Sequence, residues 1–264
     1  MNHESITTQN PIDKHHTASA QAARVWTGPT AQVVQQIFSS IAPRYDLTNH
    51  VLSLGIHQLW RKKMVKNIPF SKTLQLLDCA TGTGDVIFTA WRYLKSQEPF
   101  QGRLIGVDFC QPMLQVARHK ASKRNVPAEF LESDVTHLPF PNNSFHVVSI
   151  AFGIRNVENP HRAIQEMSRV LKPGGLLLIL EFGQIKQGGI FKYIYDWYSQ
   201  KWLPTLGGLL TKNQNAYQYL ERSSKQFPSQ EEFVQILRKE PALTNFATKS
   251  LTGGIAYLYS ANKT

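Results

Sequence analysis

The stretch Leu74–Asp85, LQLLDCATGTGD, leaves a chain like this few ways to fold. An apolar run of Leu74, Leu76 and Leu77 ends at Asp78 and gives way to small residues with Gly82 and Gly84. Apolar residues resume at Val86, Ile87 and Phe88. The pattern predicts a buried strand, a tight turn and the first turn of a helix. Glycines in such a turn let the backbone come close to a ligand. A dinucleotide fingerprint requires a third glycine three residues after the second, where this chain has Ile87. A Walker loop requires Gly-Lys-Ser/Thr, which is absent. The loop instead carries Asp78 and Asp85 and no lysine. Acids repel a pyrophosphate and suit a cation, so the loop points to S-adenosylmethionine, which has an ammonium, a sulfonium and no phosphate. An ordinary strand-to-helix turn is the alternative.

The next stretches extend the pattern. Gly102–Val107 reads as a second buried strand and ends in Asp108, roughly 20 residues past the loop, where a doubly wound fold holds a ribose diol. A carboxylate accepts both hydroxyl hydrogens of such a diol. A third strand, Ala128–Glu132, leads to Asp134 and Val135, with Asp134 an acceptor suited to an adenine amino group. The fourth strand, His146–Ala151, runs into Phe152-Gly153-Ile154-Arg155-Asn156-Val157. Residues at the carboxyl ends of strands in an open α/β sheet face the ligand crevice. Arg155 and Asn156 are therefore candidates for chemistry, the other reading of Arg155 being a structural cap on a neighbouring helix. A helix containing Ala163, Ile164, Met167, Val170 and Leu171 ends at Lys172-Pro173-Gly174-Gly175, and Leu176–Leu180 is the fifth strand, closing at Glu181. Phe246–Ser250 and Ile255–Ser260, joined around Gly253-Gly254, predict a C-terminal antiparallel hairpin. The architecture expected is α/β: a mostly parallel, doubly wound sheet with helices on both faces.

The flanking segments are read from composition. Residues 1–24 are polar and lack the apolar core of a signal peptide, which predicts a disordered tail ahead of a single domain over 25–264. Apolar spacing predicts helices within 31–67, packed over the cleft. His57 and Trp60 read there as packing residues, with His57 an alternative base on its chemistry alone. Residues 185–220 form an aromatic, apolar insertion that suits either core or a lid over a greasy substrate. No apolar run approaches the length that spans a bilayer. Cys79 and Cys110 show no metal-ligand spacing and read as reduced thiols of a cytoplasmic protein, with no metal expected. The formal net charge of +11 favours an anionic partner. The basic groups at Arg61-Lys62-Lys63 and Lys120/Lys123/Arg124 are equally well read as solvated helix faces.

With these residues assembled, the chain resembles the UbiE/MenG family of quinone-biosynthesis C-methyltransferases from about Val33 to Tyr259. Tyr45-Asp46-Leu47-Thr48-Asn49, followed by Ser53, His57 and Trp60, is similar to the family's N-terminal signature. Phe152–Val157 is similar to its central motif, and Arg169–Gly175 through Glu181-Phe182 resembles its second signature. Tyr217-Gln218-Tyr219-Leu220 and Leu251–Ile255 also fit. Thr48, Ala151 and Gly183 depart from the Met, Ser and Ser frequent in the family. The resemblance implies a seven-stranded, Rossmann-like class I methyltransferase sheet. It also implies methyl transfer from S-adenosylmethionine to a ring carbon of a polyprenyl quinol, either demethylmenaquinol or 2-polyprenyl-6-methoxy-1,4-benzoquinol. On that reading Gly82, Thr83, Gly84, Asp108, Asp134 and Val135 hold the cofactor. Tyr45 and Asn156 hold the substrate, and Arg155 supplies a cation to the developing quinolate. Peripheral contact with an anionic membrane is expected, with a homodimer or a biosynthetic complex left open. A methyltransferase acting on RNA fits the charge, but the Asn/Asp-Pro-Pro-aromatic motif of amino-group methyltransferases is absent after the fourth strand, so nucleic acid is not an expected partner. A non-catalytic quinone-biosynthesis subunit is the third reading.

Overall fold

The computed structural model describes residues 28–97, 99–183, 219, 223–224 and 227–264. The predicted tail over 1–24 and, apart from Tyr219, the predicted aromatic insertion over 185–220 lie outside the described residues. Seven strands form one sheet: β1 (Gln75–Cys79), β2 (Arg103–Asp108), β3 (Ala128–Glu132), β4 (Phe145–Ala151), β5 (Leu171–Phe182), β6 (Leu243–Leu251) and β7 (Ala256–Lys263). Their order is β3-β2-β1-β4-β5-β7-β6. The first five run parallel, while β7 is antiparallel to both β5 and β6. This is the doubly wound, seven-stranded arrangement with a C-terminal antiparallel hairpin that the sequence predicts.

The sheet is buried on both faces because its strands are apolar at consecutive positions. Side chains along a strand alternate between faces, so Leu76, Leu104, Val147 and Leu178 enter one core and Leu77, Ile105, Val148 and Leu177 the other. Helices α3 (Ile56–Val65), α4 (Asp85–Lys95) and α5 (Gln111–Lys123) cover the first face. The second is covered by α6 (Pro160–Val170) and α7 (Gln230–Arg238). Both of the latter have side-chain caps at their first turns. Asn159 accepts the Arg162 N–H at 3.0 Å, and Ser229 with Glu232 forms a capping box. A cap of this kind is worth about 1 kcal/mol. Between β4 and β5 the register shifts after Phe145↔Leu171, and Lys172–Gly175 is accommodated before Val147↔Leu176 restores the ladder. The strand therefore begins earlier than Leu176.

Helices α1 (Ala31–Ile41) and α2 (Tyr45–Leu52), joined by a 3₁₀ turn at Ala42–Arg44, precede α3 and lie over the carboxyl ends of the parallel strands. Trp60 fastens α3 to the closing hairpin: its indole N–H donates to Thr252 Oγ1 at 2.8 Å, and its ring stands against Phe152 and Phe182. Gly183, where the family frequently has serine, lies so close to Tyr257 that a Cβ would stand 2.2 Å from the ring. Glycine at this position matches that neighbour.

Candidate active site

In a doubly wound sheet the crevice opens where the strand order reverses, outside the carboxyl ends of the strands. Here the reversal falls between β1 and β4. A cavity of about 470 Å³ lies there. Its walls are Ala80 and Gly82 after β1, Asp108, Phe109 and Cys110 at the end of β2, Asp134, Val135 and Thr136 after β3, and Phe152 and Asn156 after β4. Val34 and Phe38 of α1 and Tyr45 of α2 close it from above.

Asp108 is the most firmly held polar group in this wall. Its Oδ2 accepts the Gly82 N–H at 2.8 Å and its Oδ1 the Cys110 N–H at 2.9 Å. Two backbone donors from two loops fix the plane of the carboxylate and leave each oxygen a lone pair. Burial pushes the carboxyl up to about 6, partly offset by the N–H groups of Cys110, Gly82 and Phe109. Asp134 is oriented in the same way, its Oδ1 accepting the Thr136 N–H at 2.8 Å. An acid for a diol, a second acid beside a buried valine, and a volume of this size fit the ribose and adenine of S-adenosylmethionine. Replacing Asp108 with alanine is expected to weaken S-adenosylmethionine binding by about 1.5–3 kcal/mol, the scale of a hydrogen bond to a charged group. Titration calorimetry measures this directly, and an unchanged affinity would remove the ribose assignment.

The structure thus brings Gly82, Asp108, Asp134, Val135, Tyr45 and Asn156 to one cavity. It places the other predicted site residues elsewhere. Thr83 faces away from the cavity: its hydroxyl donates to Asp46 Oδ1 at 2.5 Å. Gly84 stands at φ +83°, with the Phe88 and Phe130 rings about where a Cβ would be, so it serves the turn and the packing behind it. Asp85, expected beside a cationic ligand, is already neutralised, with Arg61 at 2.9 Å and Lys120 at 2.7 Å. Lys120 also reaches Asp46 at 2.7 Å. It is a cross-link between α2, the glycine loop and α4 rather than a solvated charge.

Arg155 is 4% exposed and lies outside the cavity wall. Phe152, at φ +56°, turns the chain sharply at the end of β4, and a 3₁₀ turn at Ile154–Asn156 follows. The guanidinium ends beneath this turn, 2.7 Å from Glu181 at the end of β5, donating also to the Phe152 carbonyl at 2.6 Å and stacking on Phe182. Burial pushes the Glu181 carboxyl up, and Arg155 opposes that shift. The expected cation for a quinolate is thus paired with Glu181 and is not part of the cavity wall, although its charge still reaches the Tyr45 and Tyr219 hydroxyls and opposes the rise that burial gives both. His57 is buried, bonded through Nδ1 to the Ser53 hydroxyl, and pushed down to about 4 by burial and by Arg61. It is a neutral imidazole outside the cavity and a weak base, poorly matched to a phenolic proton.

Tyr45, at the start of α2, brings a titratable hydroxyl to the cavity wall, and burial raises it above its ordinary value. Asn156 accepts a 2.8 Å hydrogen bond from the Tyr219 hydroxyl at Oδ1. Sequence reasoning gave Tyr219 no role, although it falls in a stretch that matches the family. Ala151 lines the cavity with a methyl group where the family frequently has a hydroxyl. Thr48 is buried and returns its hydroxyl to the Arg44 carbonyl at 2.8 Å. Among the described residues, no group of His, Cys, Asp and Glu has the arrangement to hold a metal ion.

The profile of the ubiE/COQ5 methyltransferase family matches residues 27–263. The chain belongs to that family. Its similarity to individual named proteins covers most of both chains. A ubiquinone/menaquinone biosynthesis C-methyltransferase UbiE of Bdellovibrio bacteriovorus is 44% identical, covering 88% of this chain and 96% of its own. A demethylmenaquinone methyltransferase of Thermus thermophilus is 41% identical over 86% of this chain and 100% of its own. The mitochondrial 2-methoxy-6-polyprenyl-1,4-benzoquinol methylase of Caenorhabditis elegans is 36% identical over 88% and 80%. Among solved structures, a SAM-dependent methyltransferase from Thermotoga maritima superposes with a TM-score of 0.58 at 19% identity, covering 87% of this chain and 99% of its own. One from Aquifex aeolicus gives 0.54 at 18% identity over 77% and 89%. At those identities the likeness is one of fold, and it is the class I methyltransferase fold.

Proposed function

We propose that this ubiE/COQ5 family member transfers a methyl group from S-adenosylmethionine to a ring carbon of a polyprenyl quinol, demethylmenaquinol or 2-polyprenyl-6-methoxy-1,4-benzoquinol. The observation that carries the reading is the cavity itself. Within a chain of this family, one wall presents the doubly anchored carboxylate of Asp108. The same cavity presents a phenol, an amide and apolar rings at Tyr45, Asn156, Phe38 and Phe152. The named relatives act on both kinds of quinone precursor, so both substrates are kept.

S-adenosylmethionine, when bound, supplies a methyl group already activated by the sulfonium. The residues of this chain then have to bind, orient and exclude water. Asp108 and Asp134 hold the nucleoside end, and Gly82 keeps the backbone of the first turn close to it. Tyr45 and Asn156 hold the oxygens of the quinol. Asn156 is itself fixed by the Tyr219 hydroxyl and by its own Nδ2, which donates to the Phe152 carbonyl at 3.4 Å. A positioned acceptor ring contributes several kcal/mol through orientation alone. Arg155 and Glu181 hold the Phe152–Asn156 turn and act on the reaction through its position. A tail too apolar for water gives the enzyme reason to work at a bilayer surface. Among the described residues no helix is long and apolar enough to cross one. The reading is of reversible contact with an anionic bilayer surface, favoured by the net charge of +11.

The test is direct. The purified protein is supplied with methyl-labelled S-adenosylmethionine and each reduced quinone precursor in turn, and the products are read by mass spectrometry. Label on the quinone ring of one or both precursors is the expected outcome. S-adenosylmethionine binding without label on either would replace the enzyme by a binding subunit. Label on RNA instead would replace the substrate class.

A further inference from the structure

We propose that the corner formed by α2, the turn at Leu54 and α3 is the surface with which this protein docks on an anionic lipid bilayer. This names the place for the peripheral contact proposed above and rests on that reading of a lipid substrate.

Three observations converge there. First, among the described residues five large hydrophobic side chains are exposed, and three of them belong to this stretch: Leu47 at 58%, Leu54 at 74% and Leu59 at 55%. Leu54 sits at φ +49°, a backbone conformation that bulky residues rarely adopt. It heads the turn between the two helices with its side chain in solvent. An unusual backbone that presents an apolar side chain to water is a reason to look for what covers it.

Second, the same face is basic. Leu59, Lys62, Lys63 and Lys66 are all exposed and follow one another at helical spacing along and just beyond α3. Among the described residues none of these lysines pairs with an acid. Beside them, between α3 and α4, lies a second cavity of about 650 Å³ lined by Arg61, Lys62, Arg92, Lys95 and Arg124. Among the described residues its one carboxylate, Asp85, is already shared by Arg61 and Lys120. Lys95 lies over the Trp91 ring and Arg124 over the Phe88 ring, and among the described residues neither pairs with an acid. Leucines with lysines about them, next to an acid-poor basic cleft, match a bilayer: apolar chains beneath phosphate groups.

Third, the corner shares helix α2 with the active site. Helix α2 is eight residues long, and its Tyr45 lines the catalytic cavity while Leu47, two positions on, faces out. Two positions turn a helix through roughly 200°. A quinol leaving lipid at this corner would meet the far side of the helix that roofs the cavity.

The experiment is vesicle flotation with the full chain at low and high salt. It uses phosphatidylcholine vesicles alone and with phosphatidylglycerol, and compares wild type, Lys62→Glu/Lys63→Glu/Lys66→Glu and Leu54→Ser/Leu59→Ser. Wild type should float with the anionic vesicles and be released by salt. Each basic residue near an anionic surface contributes about fivefold to partition, so the triple variant should lose about 100-fold or more. The serine variant should bind more weakly at either salt level. Melting temperatures close to wild type would show that both variants are folded. Methyl transfer to a short-tailed quinol analogue in detergent should be unchanged in both. Vesicle binding at wild-type strength by both variants would overturn the proposal. So would a dimer in solution that either variant splits into monomers, because the corner would then be a contact between copies of this chain. Failure of wild type to methylate any quinol would remove the function instead and leave the docking surface to be judged by flotation alone.

Discussion

Arg155→Ala should cost the fold about 3–5 kcal/mol, the usual penalty for leaving a buried charge without its partner. Glu181 is fully buried and Arg155 nearly so, and the guanidinium joins the end of β4 to the end of β5. It also holds the carbonyl of Phe152, whose positive φ makes this turn costly to form. Removing the cation strands the Glu181 carboxylate, which among the described residues keeps the backbone N–H groups of Phe182 at 2.9 Å and Arg155 at 3.4 Å. Replacing the pair together, Arg155→Leu with Glu181→Leu, removes both buried charges and should recover most of the loss. Urea unfolding of the three proteins gives the comparison, and a loss below about 1 kcal/mol in the single variant would show that the pair is not what holds the turn. Turnover then separates two roles. With the guanidinium outside the cavity, the double variant should keep quinol methylation within about tenfold per folded molecule. A fall of about 10²–10³ would restore Arg155 as a direct stabiliser of developing charge.

The direction of that side chain is the part of the site the sequence hid. Asp108 was legible because its distance from the glycine loop is set by the length of one strand-helix-strand unit, and because a strand's last residue points into the crevice wherever the sheet is parallel. Gly82, Asp134 and Val135 follow the same logic, each standing just past the end of a strand. Arg155 stands four residues beyond β4, after the positive φ at Phe152. One such dihedral reverses the chain, and nothing in the residue type of a phenylalanine announces it. The same limit hid the ties among Asp46, Thr83, Lys120 and Asp85. Their bonds span 35 to 74 positions, and a lysine on a predicted helix reads alike whether it meets water or two carboxylates. His57 shows the opposite case. Its helical stretch read as packing, with a base as the alternative, and the structure buries it outside the cavity wall, where burial and Arg61 push it down to about 4. The sheet itself was readable throughout, since paired apolar positions such as Leu76-Leu77 and Val147-Val148 can only be satisfied by cores on two faces.

Asp78→Asn should gain stability relative to wild type as pH rises from about 4 to about 7, and the gain should level off above that. Asp78 is buried at the end of β1, accepting the Ser149 hydroxyl at 2.7 Å. Burial pushes its carboxyl up to about 7, against smaller opposing effects of Ser149, Thr81 and Arg61, while Asp108 adds to the rise. In the unfolded chain an aspartic acid titrates near 3.9. The folded-state value is therefore the higher one, and between about pH 4 and 7 the folded protein holds a proton that the unfolded chain has released. Stability falls as pH rises through that window, by at most about 1.4 kcal/mol per pH unit and a few kcal/mol in all. Below about pH 4 the carboxyl is protonated in both states and the effect vanishes. Asparagine keeps an acceptor for Ser149 and carries no charge, so the variant loses this dependence. Asp108, pushed up to about 6, bends both curves the same way and cancels in their difference. The measurement is urea unfolding of wild type and variant from pH 4 to 8 without ligand. Any fixed cost of the amide shifts the whole difference curve and leaves its slope untouched. A difference flat across the window would mean that Asp78 does not hold its proton in the folded state.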